Sequence, residues 1–291
     1  DQKKLSTPLL ELSAMKGNRI ALALLGERLA SGYLCDKDQA RANSIRRIAL
    51  RAGLPVSEPI IEFGFSAPEP THFLPVNKSE LNFNTELTDQ PILGECIDTT
   101  INLRQFPEFF TAEECLYIRC MGAPFVRPSV TVDEQGQTHQ NKIRSSFEFM
   151  FQIENESVYL KLLQRRMAKA VDIPLKNAEQ LILLRYTPGQ EYKPHRDYLP
   201  PSRYKSLSEG GPGQRLCTVI TYLNEPAIGG ETSFPLLKKL IKPKFGLVIC
   251  FDNINKSDEL NESSLHAGLP VQQGVKWICT LWIHQSTYRL L

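Results

Sequence analysis

The sequence lacks the features that mark several classes of protein. It has no long uninterrupted apolar run, so it predicts no transmembrane helix. Neither sign of charge dominates, because 34 Lys and Arg stand against 32 Asp and Glu, and nothing indicates a nucleic acid or a membrane surface as a partner. The first residues, DQKKLSTP, contain no apolar signal core and no methionine, which favours a trimmed or mature chain.

The seven cysteines are scattered and odd in number, and no two have the Cys-x-x-Cys spacing of a structural zinc ribbon. This pattern predicts reduced thiols in a cytoplasmic protein. Cys217, Cys250 and Cys279 each lie inside an apolar, strand-like run. A small buried core side chain is the expected role for each of them.

Composition divides the chain into three parts. Residues 18–53 predict a helix pair, in which a first apolar stripe stops at Gly32 and Asp38 caps a second helix. The stretch from Pro55 to Pro91 is rich in proline and has little periodicity, so we expect a linker there. We therefore assign residues 1–54 to a helical module, 55–95 to a linker and 96–291 to a main domain.

Within the main domain, helix signals precede strand signals. Thr111-Ala112-Glu113-Glu114 has the form of a capping box, and residues 157–171 predict a second helix with Val158 and Leu163 facing inward. Short apolar runs at 181–185, 216–223, 245–251 and 277–283 predict strands. Because no helix separates these strands, they predict a barrel or a double-sheet sandwich.

Two polar stretches of the main domain predict loops. Residues 133–142, DEQGQTHQNK, predict a mobile hairpin loop. Residues 198–214 contain several Pro and Gly and follow Asp197 directly. We expect this second stretch to cover a functional site as a lid.

The stretch LILLRYTPGQEYKPHRDY, residues 181–198, carries the strongest chemical signal. His195 and Asp197 are alternate residues of an extended segment, so their side chains project to the same face. An imidazole and a carboxylate are two of the three ligands of a non-heme iron(II) site, which keeps open positions. His266, in a Ser-Leu-His-Ala-Gly segment between two apolar runs, is the candidate third ligand.

A lone His-x-Asp pair is more often a surface ion pair than a metal site. Downstream residues favour the metal site here, because a Gly- and Pro-containing turn at 268–274 returns the chain to Lys276 at the start of a strand. We expect two neighbouring strands to deliver His266 and Lys276. An ammonium that faces a barrel interior should hold an anion or a protein carboxylate, and the alternative is a solvated lysine at a sheet edge.

The order of these motifs closely resembles the prolyl 4-hydroxylase group of the iron(II)- and 2-oxoglutarate-dependent dioxygenases. The resemblance runs from about Phe106 to His284 and includes His195-x-Asp197, Gly229-Gly230-Glu231-Thr232, Phe234-Pro235, His266-Ala267-Gly268 and Lys276-Trp277. It implies an α+β fold with a double-stranded β-helix, or jelly roll, and supporting helices. The small residues of the N-terminal helix pair resemble one unit of the Sel-one-like, tetratricopeptide-related repeats, and a single unit does not form a stable solenoid.

The resemblance also implies a role for each site residue. Iron(II) would be bound by His195, Asp197 and His266, and Lys276 would hold the distal carboxylate of 2-oxoglutarate. Tyr186, Thr218 and Trp282 match positions that contact 2-oxoglutarate, although plain core is the alternative for a strand aromatic. Arg144 and Ser146 match a segment that faces the peptide substrate.

The implied activity is hydroxylation of a prolyl or similar aliphatic residue in a peptide or protein, with 2-oxoglutarate and O₂ as cosubstrates and succinate and CO₂ as products. Ascorbate is a further candidate cofactor. Phe147-Glu148 departs from the small, Gly-containing continuation expected after Ser146, which leaves the substrate open. The alternatives are a hydroxylase of a free amino acid or small metabolite, and an inactive jelly-roll metal-binding or scaffold protein. The oligomeric state is also open.

Overall fold

The computed structural model describes residues 2–56, 92–132, 138–140, 143–153, 156–255 and 257–289. The chain forms two compact units, Asp1–Thr88 with Leu116–Pro124, and Asp89–Cys115 with Phe125–Leu291. Most of the predicted linker and part of the predicted hairpin loop at 133–142 lie outside the described residues. The division into a module, a linker and a main domain therefore stays a prediction.

The first unit contains the helices α1 (Gln2–Met15), α2 (Arg19–Ser31) and α3 (Gln39–Arg51). Asn18 caps α2 by accepting from the backbone N–H groups of Ile20 and Ala21, and the Asp38 side chain caps α3 in the same way. The predicted helix pair is therefore present as α2 and α3. The sequence interpretation missed α1, because Pro8 lies inside this helix and proline normally interrupts one.

The chain has two further described helices, α4 (Ala112–Gly122) and α5 (Val158–Ala170). The predicted capping box of α4 is confirmed, because the Thr111 hydroxyl accepts from the Glu114 N–H at 3.3 Å and the Glu114 carboxylate accepts from the Thr111 N–H at 2.9 Å. The inward position predicted for Val158 is wrong. Its side chain is 77% exposed, since it lies off the helical stripe on which Leu160 and Leu163 are buried.

The second unit is built on two antiparallel sheets with the strand orders β1-β2-β13-β9-β16-β7-β6-β3 and β12-β11-β14-β8. The strands of the larger sheet are β1 (Glu95–Asp98), β2 (Leu103–Phe106), β3 (Arg127–Pro128), β6 (Phe147–Met150), β7 (Ile182–Tyr186), β9 (Arg215–Tyr222), β13 (Val248–Asp252) and β16 (Lys276–His284). Those of the smaller sheet are β8 (Tyr192–His195), β11 (Thr232–Phe234), β12 (Lys239–Ile241) and β14 (His266–Gly268). Two short pairs complete the strands, β4 (Val130–Val132) with β5 (Thr138–Gln140), and β10 (Ile228–Gly229) with β15 (Val271–Gln273).

The main core lies between the two sheets. It contains Ile249, Phe251 and Ile278 from the larger sheet together with Phe234 and Ile241 from the smaller one. Alternate residues of each strand face this core, as the pleat of a strand requires. The predicted α+β class and the double-sheet architecture are therefore confirmed.

The cysteines agree with the sequence interpretation. Cys217, Cys250 and Cys279 are buried in strands of the larger sheet, as expected for small core side chains. The cytoplasmic location that the cysteine pattern predicts stays a prediction. Among the described helices, none has both the length and the apolar character needed to span a membrane.

Candidate active site

The structure brings His195, Asp197 and His266 together at one end of the smaller sheet. His195 ends β8, His266 begins β14, and the two residues are direct partners in the antiparallel ladder. The Asp197 carboxylate lies between them, with Oδ1 3.6 Å from His195 Nε2 and Oδ2 3.6 Å from His266 Nε2. One ligand atom from each of the three side chains lies within 4.8 Å of the others, which fits a single metal ion.

Backbone carbonyls orient both imidazoles. His195 Nδ1 lies 2.8 Å from the Lys193 carbonyl oxygen, and His266 Nδ1 lies 2.9 Å from the Ser264 carbonyl oxygen. A carbonyl only accepts, so Nδ1 carries the proton and donates in each ring. The Nε2 lone pairs of both rings are thereby left for a metal.

The charge states of His195 and Asp197 also suit a metal. Burial, together with the neighbouring His266, lowers the pKa of His195 to about 3, so this imidazole is neutral at neutral pH. Burial acts to raise the pKa of Asp197, but His266 and His195 more than offset it and hold that pKa below its usual value. Two imidazoles and one carboxylate form a donor set for iron(II), which leaves the remaining positions open.

A cavity adjoins the three ligands and contains four more of the predicted site residues: Arg144, Tyr186, Lys276 and Trp282. The long central strand β16 supplies much of its wall. Its alternate residues Lys276, Ile278, Thr280 and Trp282 all line the cavity, because alternate side chains of a strand share one face. The register of β16 thus decides which of its side chains reach the site.

Lys276 is only 2% exposed, so the alternative of a solvated edge lysine is wrong. Its ammonium lies 5.3 Å from the ring centre of Tyr186 and 5.8 Å from that of Tyr222. No carboxylate of the described residues is within salt-bridge distance. Burial lowers the pKa of Lys276 to about 8, an effect that Glu231 partly opposes. A buried ammonium without a close counter-ion is suited to hold an anion.

His266 and Lys276 do not come from neighbouring strands, and that prediction is wrong. β14 pairs with β8 and β11 in the smaller sheet, whereas β16 lies between β9 and β7 in the larger one. Between them the chain forms β15, which pairs with β10 outside both sheets. The two sheets therefore present the metal ligands and the ammonium to the cavity from opposite sides.

Thr218 and Ser146 do not line the cavity as predicted. The hydroxyl of Thr218 donates to Asp197 Oδ2 at 2.8 Å. The hydroxyl of Ser146 lies 2.8 Å from that of Ser129, and both residues are buried. Direct contacts of Thr218 with 2-oxoglutarate and of Ser146 with a peptide stay predictions, and the structure gives both hydroxyls protein partners.

Hydrogen bonds join the two ends of the segment 198–214, which was predicted to be a lid. The Gln214 side chain accepts from the Leu199 N–H at 2.6 Å and donates to the Leu199 carbonyl at 2.8 Å. None of its described side chains lines the cavity. The sequence indicated the position of this insert after Asp197 but not the direction in which it folds.

Tyr192 and Thr232 are among the side chains of the cavity that sequence reasoning missed. The Tyr192 ring stacks on the His195 imidazole with 3.4 Å between ring centres, and Thr232 accepts from the Tyr222 hydroxyl at 2.6 Å. Both belong to motifs that the sequence analysis quoted without giving them a role. The signal that could have found them is the strand alternation that also places their neighbours.

A buried ionic network supports the back of the site. The Arg215 guanidinium makes two bonds to Glu179, of 2.5 and 2.9 Å, and donates to the Asp197 backbone carbonyl at 3.1 Å. It also lies 3.8 Å above the ring of Trp282. His284 Nε2 is 2.8 Å from Glu179 Oε1, so one carboxylate contacts both the guanidinium and the imidazole. This network fixes the backbone at Asp197 and the orientation of a cavity wall.

Known proteins share both the sequence and this architecture. Residues 181–284 match the profile of the 2OG-Fe(II) oxygenase superfamily. "Probable prolyl 4-hydroxylase 3" of Arabidopsis thaliana is 30% identical over 205 residues, which cover 64% of this chain and 70% of that protein. "Prolyl 4-hydroxylase 1" of the same plant is 32% identical over 194 residues, covering 62% and 67%.

Among solved structures, the viral collagen prolyl hydroxylase of Paramecium bursaria Chlorella virus-1, in its 2OG complex, is 28% identical with a TM-score of 0.50. The match covers 66% of this chain and 99% of the viral one. It extends the likeness from the sequence to the jelly-roll arrangement of the sheets. The chain therefore belongs to the prolyl 4-hydroxylase family of the 2OG-Fe(II) oxygenases, and it is a dioxygenase that uses iron(II), 2-oxoglutarate and O₂.

Proposed function

We propose that this dioxygenase hydroxylates a proline residue in a peptide or protein and releases succinate and CO₂. The observation that carries the proposal is the meeting of His195, Asp197 and His266 with the buried ammonium of Lys276 in one cavity. The names of the relatives, which are prolyl 4-hydroxylases and a collagen prolyl hydroxylase, support the choice of substrate class.

His195, Asp197 and His266 are the proposed iron ligands. Iron(II) held by one carboxylate and two imidazoles supplies the chemistry of O₂ activation, because its remaining coordination positions accept the cosubstrates. The protein's part is to keep both Nε2 lone pairs and the carboxylate directed at one point. The hydrogen bonds from the two Nδ1 atoms to the carbonyls of Lys193 and Ser264 perform that task.

Lys276 is the proposed anchor for the distal carboxylate of 2-oxoglutarate. Its ammonium is buried and has no close carboxylate among the described residues, so an incoming dianion supplies the missing counter-charge. A charge-assisted hydrogen bond inside a cavity that excludes water is stronger than the same bond at a surface. Tyr186 and Trp282 line the same space and fit the predicted walls of this subsite.

Apolar side chains line part of the cavity around the anchor. Leu184, Ile220 and Ile278 give the cavity an apolar wall. An apolar wall strengthens the electrostatic contacts inside the site and suppresses side reactions. This arrangement favours an enzyme over the scaffold alternative, in which the ammonium would have no partner to balance its burial.

Arg144 is the proposed contact on the substrate side. Its guanidinium lies 5.3 Å from the ring centre of Tyr192, and its backbone bridges to the same residue beside the metal ligands. Glu148 forms an ion pair with Arg144 and holds the side chain in place. A peptide that passes the open side of the metal site would therefore meet an arginine with a fixed orientation.

The test offers a proline-rich peptide and free proline to the iron-loaded enzyme with 2-oxoglutarate and O₂. Mass spectrometry should show one added oxygen on the peptide, with succinate formed in equal amount, and the His266→Ala variant should show neither. An added oxygen on free proline alone would overturn the peptide assignment and favour the small-metabolite alternative. The absence of succinate with every substrate would favour the inactive scaffold.

A further inference from the structure

We infer that Thr218, oriented by Asn253, makes Asp197 a ligand through one oxygen only and so keeps a coordination position open for 2-oxoglutarate. Thr218 is a positioning residue in this account, because its hydroxyl touches Asp197 and not a substrate. The inference rests on the iron site and is independent of which substrate is hydroxylated.

Three buried polar groups form the relay. The Thr218 hydroxyl is 2.8 Å from Asp197 Oδ2, and Asn253 Nδ2 is 2.9 Å from the Thr218 hydroxyl. Thr218 and Asn253 are fully buried, and Asp197 is 5% exposed. Because all three groups are buried, bulk water does not compete for these hydrogen bonds.

The donors and acceptors of the relay follow from the chemistry of the groups. An ionised carboxylate only accepts, so the single hydroxyl hydrogen of Thr218 goes to Asp197. The Thr218 oxygen must then accept from the group that faces it, which is the amide nitrogen of Asn253 and not its carbonyl oxygen. Among the described residues, Asn253 Oδ1 has no hydrogen-bond partner, and leaving it unpaired costs free energy while the amide N–H is directed at Thr218.

The relay crosses between the two sheets. Asp197 follows β8 of the smaller sheet, Thr218 lies on β9, and Asn253 follows β13, the neighbour of β9 in the larger sheet. Thr218 faces the interior because it shares the face of Ile220, which lines the cavity. The Thr218 hydroxyl, which comes from the opposite sheet, thus fixes the rotation of the Asp197 carboxylate about its Cβ–Cγ bond.

That rotation has a consequence for the metal site. A carboxylate can bind a metal through one oxygen or through both. Oδ2 of Asp197 already accepts from Thr218, which favours ligation through Oδ1. If both oxygens bound the metal, the carboxylate would occupy a position that 2-oxoglutarate or O₂ needs, since only three positions remain beside the three ligands.

The test measures binding in the cobalt(II)-loaded protein, without turnover. Visible absorption of cobalt(II) reports its coordination, and 2-oxoglutarate is titrated into wild type, Thr218→Val and Thr218→Ser. Valine keeps the shape of threonine but removes the hydroxyl, so we expect the Kd for 2-oxoglutarate to rise about 10-fold or more, on the order of the loss of metal affinity or activity that follows when an outer contact of a metal ligand is removed. The Kd for cobalt(II) should change by a smaller factor than the Kd for 2-oxoglutarate, because all three ligand side chains remain. Thr218→Ser should behave as wild type.

Thr221→Val is the matched control. Thr221 lies on the same strand and is equally buried, but it faces the opposite side of the sheet from Thr218. Its substitution should leave both dissociation constants unchanged. Asn253→Leu keeps the Thr218 hydroxyl but removes the group that orients it, and it should raise the 2-oxoglutarate Kd by a smaller factor in the same direction.

Several results would overturn the inference. One is a 2-oxoglutarate Kd for Thr218→Val within twofold of wild type. Another is a loss of cobalt(II) affinity with unchanged 2-oxoglutarate affinity, which would mean that Thr218 only supports the ligand. An unchanged Asn253→Leu variant would remove Asn253 from the relay. Failure to hydroxylate proline would affect none of these measurements, so the two proposals fail separately.

Discussion

The two sheets of the second unit contribute to the active site in different ways. The smaller sheet supplies the metal-binding end, with His195 and His266 as direct partners on β8 and β14 and Asp197 immediately beyond. The larger sheet supplies the opposite wall, with Lys276 and Trp282 from β16. The metal site is thus compact along two short strands, whereas the cosubstrate wall depends on the register of long ones.

This difference predicts two kinds of response to substitution. A metal site needs every ligand, so the loss of one should be close to all-or-none. A wall made of separate side chains should respond in graded steps, each proportional to the contact removed. Four substitutions or conditions, from the largest expected effect to the smallest, compare the two sheets.

His266→Ala removes one of the three ligands and should have the largest effect. Losing several kcal/mol of charge stabilisation corresponds to a loss of turnover on the order of 10³-fold or more. Cobalt(II) titration should show the matching loss of metal affinity. Cys279→Ala is the control, because Cys279 is equally buried but does not line the cavity. Metal binding that survived in His266→Ala would place the ion elsewhere.

Lys276→Met keeps the length of the side chain but removes its charge. A hydrogen bond to a charged group contributes about 1.5–3 kcal/mol, so the 2-oxoglutarate KM should rise roughly 10- to 100-fold. Metal affinity should not change, which separates the wall from the ligands. Lys193→Met, at an exposed position beside the same site, serves as the control. An unchanged KM would show that Lys276 does not hold the cosubstrate.

The pH dependence of 2-oxoglutarate binding tests the same lysine. Because burial lowers the pKa of Lys276 to about 8, its side chain carries a positive charge below that pH and loses the charge above it. Binding of the dianion requires the charged form, so affinity should be level below pH 8 and fall about tenfold for each pH unit above it. Lys276→Arg should remain level, since a guanidinium keeps its proton. A fall that persisted in that variant would assign the titration to another group.

Trp282→Phe should have the smallest effect. The ring of Trp282 carries the Arg215 guanidinium at 3.8 Å, while its Nε1 is buried without a hydrogen-bond partner among the described residues. Phenylalanine keeps an aromatic face, so thermal or denaturant unfolding should show a loss of about 1 kcal/mol from a weaker cation–π contact. Metal affinity should be unchanged. A large loss of metal binding would mean that the wall supports the ligands more directly than its contacts indicate.

The contrast between the sheets also explains which parts of the molecule the sequence could predict. His195 and Asp197 were predictable because their spacing is local. The main strands were predictable because apolar residues alternate along them. The opposite placement of His266 and Lys276 was not predictable from their separation alone, because β15 intervenes and pairs outside both sheets. Strand pairing is a long-range property that no local window contains.

The roles of individual hydroxyls were the hardest part to predict. Thr218 and Thr232 both face the interior, but Thr218 donates to Asp197 while Thr232 lines the cavity. Periodicity assigns both threonines to the same side of their strands and cannot say which partner each one meets. The partner of each hydroxyl depends on the distance between the two sheets at that position, and only the packed core determines this distance.

An anaerobic titration tests the central claim most directly. Iron(II) is added to the metal-free protein, followed by 2-oxoglutarate, and the visible charge-transfer band of the iron–2-oxoglutarate complex is followed. The account predicts a band that saturates at one 2-oxoglutarate per chain, is lost in His266→Ala, and requires more 2-oxoglutarate in Lys276→Met. The absence of a band in the wild-type protein, or an unaltered band in His266→Ala, would contradict it.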